Sequence, residues 1–256
     1  MREYESLDPL QVRIQAHLRH SLEPDDPEQA VIDALRGQFG RALLDVGCGT
    51  GTFLARVRRA APEVRLVALD TSPAAGEAVS PEIASFVLAS VLQLPFEEQF
   101  DVVTARHMLY HVDDPARAIS EMTRAATPQG RVLVTVNHGD GLPWITETIS
   151  DAMHAEGLTP RSSAASVDSA AIHELMQVAL RDVQSRRIDN ALVFRSAGAV
   201  LPFLGAVLGV YGLHTGDTAR PAVEARLADA VSRRLSKDRE IVDPKGYTVC
   251  WGRKGD

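Results

Sequence analysis

An acid precedes three alternating glycines in Asp45-Val46-Gly47-Cys48-Gly49-Thr50-Gly51. Glycines at that spacing permit a tight turn and let a ligand approach bare backbone. A dinucleotide-type G-x-G-x-x-G would need glycine at position 52, where the chain has Thr52. The acid two residues before Gly47 would repel a pyrophosphate but can attract an amino group. The local chemistry therefore favours a ligand with a cationic end over NAD. Nineteen residues after Gly51 comes Asp70, at the close of the apolar run Val64–Leu69. An acid placed there can accept both hydroxyls of a ribose, or it can serve as a turn or helix-cap residue.

A second group is His107-Met108-Leu109-Tyr110-His111, followed by Asp113 and Asp114. On a helix His107 and His111 would share a face, one turn apart. Three roles fit that spacing: metal binding, general-base chemistry by His111, and plain packing or capping. The H-E-x-x-H zinc pattern is not met, because Met108 stands where the glutamate would be, and no metal is expected. His138, after the run Arg131–Val136, and His17, beside the Ile14–Leu18 stripe, could face the same space. Tyr110 could stack on an aromatic substrate or fill a core.

The elements that must hold these residues follow from hydrophobic pattern. Short apolar runs at 42–46, 64–69, 85–89, 100–104 and 131–136 alternate with helical spacing at 52–60 and 115–126. That alternation predicts a parallel sheet covered on both faces. Thr127-Pro128-Gln129-Gly130 reads as a helix stop. Residues 8–22 and 28–38 read as leading helices, with Leu7, Leu10, Ile14 and Leu18 on one face. After Asn137 come helical patterns at 143–157, 168–180, 197–212 and 219–236, with TPRSSAAS as a loop. A strand is expected near 183–188, and a final one at 246–251.

Composition narrows the classes. The chain has 256 residues, 45% hydrophobic and 24% charged, as a globular protein should. Its net charge of −7 argues against a nucleic-acid partner. Two cysteines cannot build a disulfide framework, and the polar, acidic N-terminus has no signal peptide, so a cytoplasmic location is expected. The uncharged run 197–212 is short of the roughly 20 residues a span needs and contains Pro202, so no membrane contact is expected.

LLDVGCGTGTFL, VALDTSP and LQLPFEEQFDVVTARHMLYHV together resemble the class I S-adenosylmethionine-dependent methyltransferases, and most closely the small-molecule, methyltransferase-type-11 branch. The resemblance covers residues 40–138. It implies a Rossmann-like, seven-stranded, mostly parallel sheet with an antiparallel last strand, plus helical N-terminal and lid elements. It implies S-adenosyl-L-methionine as cofactor, held across the C-terminal strand ends. Gly47, Cys48, Gly49 and Gly51 would pass along the cofactor, with Asp45 near its methionyl end. Asp70 would hold the ribose, and Thr71 would lie near the adenine. Ser90 stands where the family usually has an acid for the adenine amino group, so that contact would pass to the Val91 backbone. Thr104, Ala105 and Arg106 would follow the fourth strand near the methionyl part, and Arg106 could pair with its carboxylate.

The expected organisation is a helical cover over 1–39, a cofactor-binding core over 40–140, a helical substrate lid with one core strand over 141–237, and a closing strand over 238–256. The expected function is in-line transfer of a methyl group to an O or N nucleophile of a small molecule of secondary metabolism. His111 is the expected base, with His107 and His138 as alternatives, and Tyr110, His17 and Trp144 are the expected substrate contacts. A non-catalytic cofactor-binding protein and a nucleic-acid methyltransferase are the rival readings. These patterns do not bear on oligomeric state.

Overall fold

The computed structural model describes residues 8–161 and 167–255. Tyr4, Leu7 and most of the TPRSSAAS loop lie outside the described residues. The described part divides into two compact units. One holds the described residues of 26–139, 165–188 and 247–256; the other those of 1–25, 140–164 and 189–246.

In chain order the elements begin with α1 (Asp8–His20), α2 (Pro27–Leu35), β1 (Ala42–Val46), α3 (Thr52–Ala60), β2 (Arg65–Asp70), α4 (Pro73–Ala78) and β3 (Ser85–Leu88). There follow β4 (Phe100–Arg106), α5 (Pro115–Ala125), β5 (Ala126–Asn137), α6 (Pro143–Ala155) and α7 (Ile172–Gln177). The chain closes with β6 (Arg181–Phe194), α8 (Ala197–Val207), α9 (Arg220–Lys237) and β7 (Ile241–Arg253). The strands form one seven-stranded sheet in the order β3-β2-β1-β4-β5-β7-β6. Strands β3, β2, β1, β4 and β5 are mutually parallel, and β7 runs antiparallel to β5. This is the Rossmann-like sheet that the sequence predicts, with its antiparallel close.

The sheet is central because its inner strands β1, β2, β4 and β5 are largely buried on both faces. In β1, Leu43 joins one buried cluster with Phe53, Leu66, Val102 and Leu133, while Leu44 and Val46 join another with Val103, Ala105 and Val134. Each fully buried Leu or Phe contributes roughly 1.5–3 kcal/mol of transfer free energy. Helix α5 presents Ala118, Ile119, Met122 and Ala125 inward. It starts where Asp114 accepts the Arg117 N–H and Pro115 fills the first turn.

The other unit has its own core, in which Phe194, Val200, Phe203, Leu204, Val223 and Leu227 are buried. Asp243 is fully buried there, and its two oxygens accept the Trp144 and Ile145 N–H groups at 3.0 and 2.9 Å, fixing the start of α6. Among the described residues no helix is long and apolar enough to cross a membrane.

Several local expectations are corrected. Leu18 is 60% exposed, and Ala16 is the buried residue of α1. Helix α5 does end at Ala125, as the stop predicts, but Thr127–Gly130 is already strand. It enters β5 through a bulge opposite Phe100–Val102, with Gln129 left-handed at φ 63°. Thr104, Ala105 and Arg106 lie inside β4 rather than beyond it. The helical pattern at 168–180 forms only as Ile172–Gln177. Strand β6 is much longer than 183–188, because its exposed residues hide the strand pattern.

Candidate functional site

The glycine turn joins β1 to α3. Gly47, Gly49 and Gly51 are all left-handed, at φ 68°, 54° and 74°. A β-carbon on Gly47 would stand 2.8 Å from Met108 Cγ, and one on Gly51 2.9 Å from Val79 Cγ2. Glycine is thus required at both positions by backbone angle and by space. The Gly47 and Cys48 N–H groups donate to the Leu69 carbonyl at 2.7 and 3.1 Å, which ties the turn to the end of β2.

Asp70 completes that tie. Its Oδ2 accepts the Gly49 N–H and its Oδ1 the Ser72 N–H, each at 3.0 Å. It thus fills the turn role open to it in the sequence. A carboxylate oxygen has two acceptor directions, so each Asp70 oxygen retains one for a ligand hydroxyl. A nucleoside ribose fits that donor and acceptor set.

Asp45, 0% exposed, sits in the interior of the sheet end. Thr104 Oγ1 donates to its Oδ1 at 2.8 Å. Arg106 donates to the same carboxylate through Nε at 3.2 Å and Nη2 at 2.7 Å. The Arg106 guanidinium also lies 4.2 Å over the Phe53 ring and 3.8 Å from Glu28. Burial alone would weaken its hold on the proton. The charge and hydrogen bonds of Asp45, with Glu28 behind, outweigh burial and raise its pKa. Glu28, which the sequence reading missed, accepts the Thr52 hydroxyl at 2.5 Å and so links the first turn of α2 to the first turn of α3. Only its place beside the helix-capping Asp26-Pro27 marks it in the sequence. Of this pair Arg106, 12% exposed, borders solvent, while Asp45, 0% exposed, is engaged through both oxygens.

Cys48 lends backbone rather than thiol chemistry. Burial first, then the Asp45 and Asp70 charges, push its pKa far above the ordinary thiol value. Ser90 accepts the Leu92 N–H at 3.2 Å and caps a short turn, Val91–Gln93, that follows β3. Val91 is buried, and Thr71 is exposed just past β2.

The histidine stretch is not the helix that would align His107 with His111. β4 runs to Arg106, His107 turns left-handed at φ 51°, and Leu109–His111 is a single tight turn. The His107 ring meets Tyr247 edge-on at 5.6 Å, and Tyr110 meets His111 at 4.5 Å. His138 lies beyond β5, with Arg187 Nη2 3.1 Å from its Nδ1. A guanidinium only donates, so Nδ1 accepts and the ring proton is on Nε2. Among the described residues no group of three His, Cys, Asp or Glu could hold a metal.

Gathered at the C-terminal ends of β1, β2, β3, β4 and β5 are therefore the glycine turn, Asp45, Asp70, Thr71, Ser90, Val91, Ala105, Arg106, His107, Tyr110, His111 and His138. His17 and Trp144 belong to the other unit. There His17 packs edge-on against Phe203 at 5.7 Å, and the Trp144 N–H is held by Asp243.

Comparison with known proteins agrees with this geometry. Residues 44–134 match the family model of a methyltransferase domain. That segment belongs to the class I S-adenosylmethionine-dependent methyltransferases. An uncharacterized methyltransferase of Mycobacterium leprae is 37% identical over 101 residues, 38% of this chain and 37% of that protein. The chain thus spans little more than a third of that relative's length. A demethylmenaquinone methyltransferase of Beutenbergia cavernae is 29% identical over 191 residues, 73% of this chain and 77% of its own. The crystal structure of the YcgJ protein from Bacillus subtilis shares the fold with a TM-score of 0.59 at 16% identity, covering 90% of this chain and 98% of that one.

Proposed function

We propose that the chain transfers a methyl group from S-adenosyl-L-methionine to an oxygen or nitrogen nucleophile of a small molecule. One observation carries the reading: three left-handed glycines between β1 and α3 are tied by Gly49 N–H to Asp70 at the end of β2. When bound, the cofactor supplies a methyl group already activated on a sulfonium. The chain's part is to bind, align and keep the site dry.

In this reading Asp70 accepts the two ribose hydroxyls, and Gly47, Cys48, Gly49 and Gly51 offer backbone along the cofactor. Asp45 and Arg106 face the amino and carboxylate groups of the methionyl end, beside Ala105. Thr71, Ser90 and Val91 border the adenine. His111 accepts the proton of a nucleophile that still carries one at neutral pH, with His107 as the alternative. His138, its Nδ1 engaged by Arg187, acts as a donor. Tyr110 contacts the substrate. Residues 1–39 form a cover and 141–237 supply substrate specificity, while 40–140 and 238–256 form the core. A cytoplasmic role in secondary metabolism suits this assignment.

The test is methyl transfer from labelled cofactor to a panel of phenols, heteroaromatic N–H compounds, amines and a demethylmenaquinone-type quinol. Labelled product from at least one acceptor is expected. Saturable cofactor binding with no product across the panel would replace this reading with the non-catalytic one.

A further inference from the structure

At the end of the sheet away from the glycine turn, positive charge is concentrated. The register places Leu43 of β1 beside Val102, Val102 beside Arg131 of β5, and Arg131 directly opposite Arg253 of β7. Side chains directly opposite in an antiparallel pair share a face, and like charges there repel. Arg36, just past the end of α2, adds a third guanidinium to the same pocket of about 150 Å³. Asp182 is the one acid lining it, so three arginines face one carboxylate. Trp251, two residues before Arg253, forms a flat wall.

Arg131 is anchored in place. It donates to the Leu35 carbonyl and to Gln38 Oε1, both at 3.2 Å, while its Nε is buried without a hydrogen-bond partner. Burial, and then the charges of Arg253 and Arg36, hold its pKa below the ordinary arginine value. Asp182 is itself held left-handed at φ 54°, a costly conformation for a residue other than glycine. A chain of net charge −7 has thus gathered three cations in one cavity without matching acids.

We propose that this pocket binds a phosphate-bearing small molecule, with its oxyanion against Arg36, Arg131 and Arg253 and its organic part against Trp251. A phosphate monoester carries about −1.5 to −2 charge and three acceptor oxygens, which suits three guanidinium groups lining one pocket better than a single carboxylate does. The net negative charge of the chain disfavours a polynucleotide. The site is independent of the cofactor end of the sheet and does not rest on the proposed methyl transfer.

The test is calorimetric titration of the full chain with inorganic phosphate and with phenyl phosphate, at ionic strength fixed with chloride. One saturable site is expected, about tenfold tighter for phenyl phosphate. Arg36→Gln and Arg253→Gln should each weaken it about tenfold. In chloride alone Arg253→Gln should raise the thermal midpoint, because it relieves the repulsion across β5 and β7. No saturable heat with either probe, or unchanged affinity in both Arg36→Gln and Arg253→Gln, would overturn the site. Equal affinity for the two probes would overturn the Trp251 contact.

Discussion

Arg106 and Asp45 form a two-point ion pair between neighbouring strands, Nη2 to Oδ2 at 2.7 Å and Nε to Oδ1 at 3.2 Å. The Asp45 side chain is 0% exposed and that of Arg106 12%. Removing one partner of such a pair leaves the other charge buried and uncompensated. Asp45→Asn should therefore lower stability by about 3 kcal/mol in urea unfolding. A loss below about 1 kcal/mol would mean that the Arg106 charge finds water or Glu28 instead.

The glycine turn makes a second prediction. Gly47→Ala and Gly51→Ala each force a left-handed β-carbon into Met108 or Val79. Gly37 is equally left-handed, at φ 74°, but has nothing within 4 Å of the added carbon. All three substitutions should cost about 1–2 kcal/mol of backbone strain. Only those at 47 and 51 should cost more and also weaken cofactor binding, as unfolding and calorimetry would register. Equal effects at all three positions would remove the packing argument.

Acid sensitivity should be traceable to Glu121. A hydrogen bond from Arg124 lowers its pKa below 4.5; burial opposes this, and the Leu94 N–H and the Arg124 charge support it. A lowered folded pKa gives stability that is complete above the unfolded value and is lost as pH falls through the folded one. Urea unfolding of the native protein should therefore show a loss that begins below about pH 4.5. Glu121→Gln should be less stable at neutral pH and lose less on acidification. Parallel pH profiles would contradict this.

His111 offers a kinetic prediction. His111→Ala should lower kcat by about a hundredfold or more while leaving cofactor affinity within a factor of about three. Equal turnover in both proteins would remove His111 as the base.

Much of this was legible in the chain because both faces of the sheet are covered. Runs such as 42–44 and 66–69 are apolar without interruption, and the glycine turn between β1 and α3 needs unusual backbone angles that its own residue types supply. What escaped was decided by partners distant in sequence. The Asp45–Arg106 pair joins residues 61 positions apart, and no local pattern announces it. The strand expected at 183–188 is β6, and its full length escaped because RDVQSRRIDN is largely exposed, so burial imposes no alternation on it. His107 and His111 have helical spacing, but β4 carries hydrogen bonding one step further, His107 N–H to the Thr135 carbonyl at 2.8 Å, and the chain turns before a helix can start. Leu18 misled for the opposite reason: α1 buries a small residue, Ala16, and leaves the larger one in solvent.

The most direct test is calorimetric titration of S-adenosyl-L-methionine into the native chain and into Asp70→Ala, with circular dichroism to confirm that the variant is folded. The native chain should bind one equivalent saturably, and the variant about a hundredfold more weakly or not at all. No saturable heat with the native chain, or equal affinity in the folded variant, would contradict the assignment of Asp70 and the glycine turn as the cofactor site.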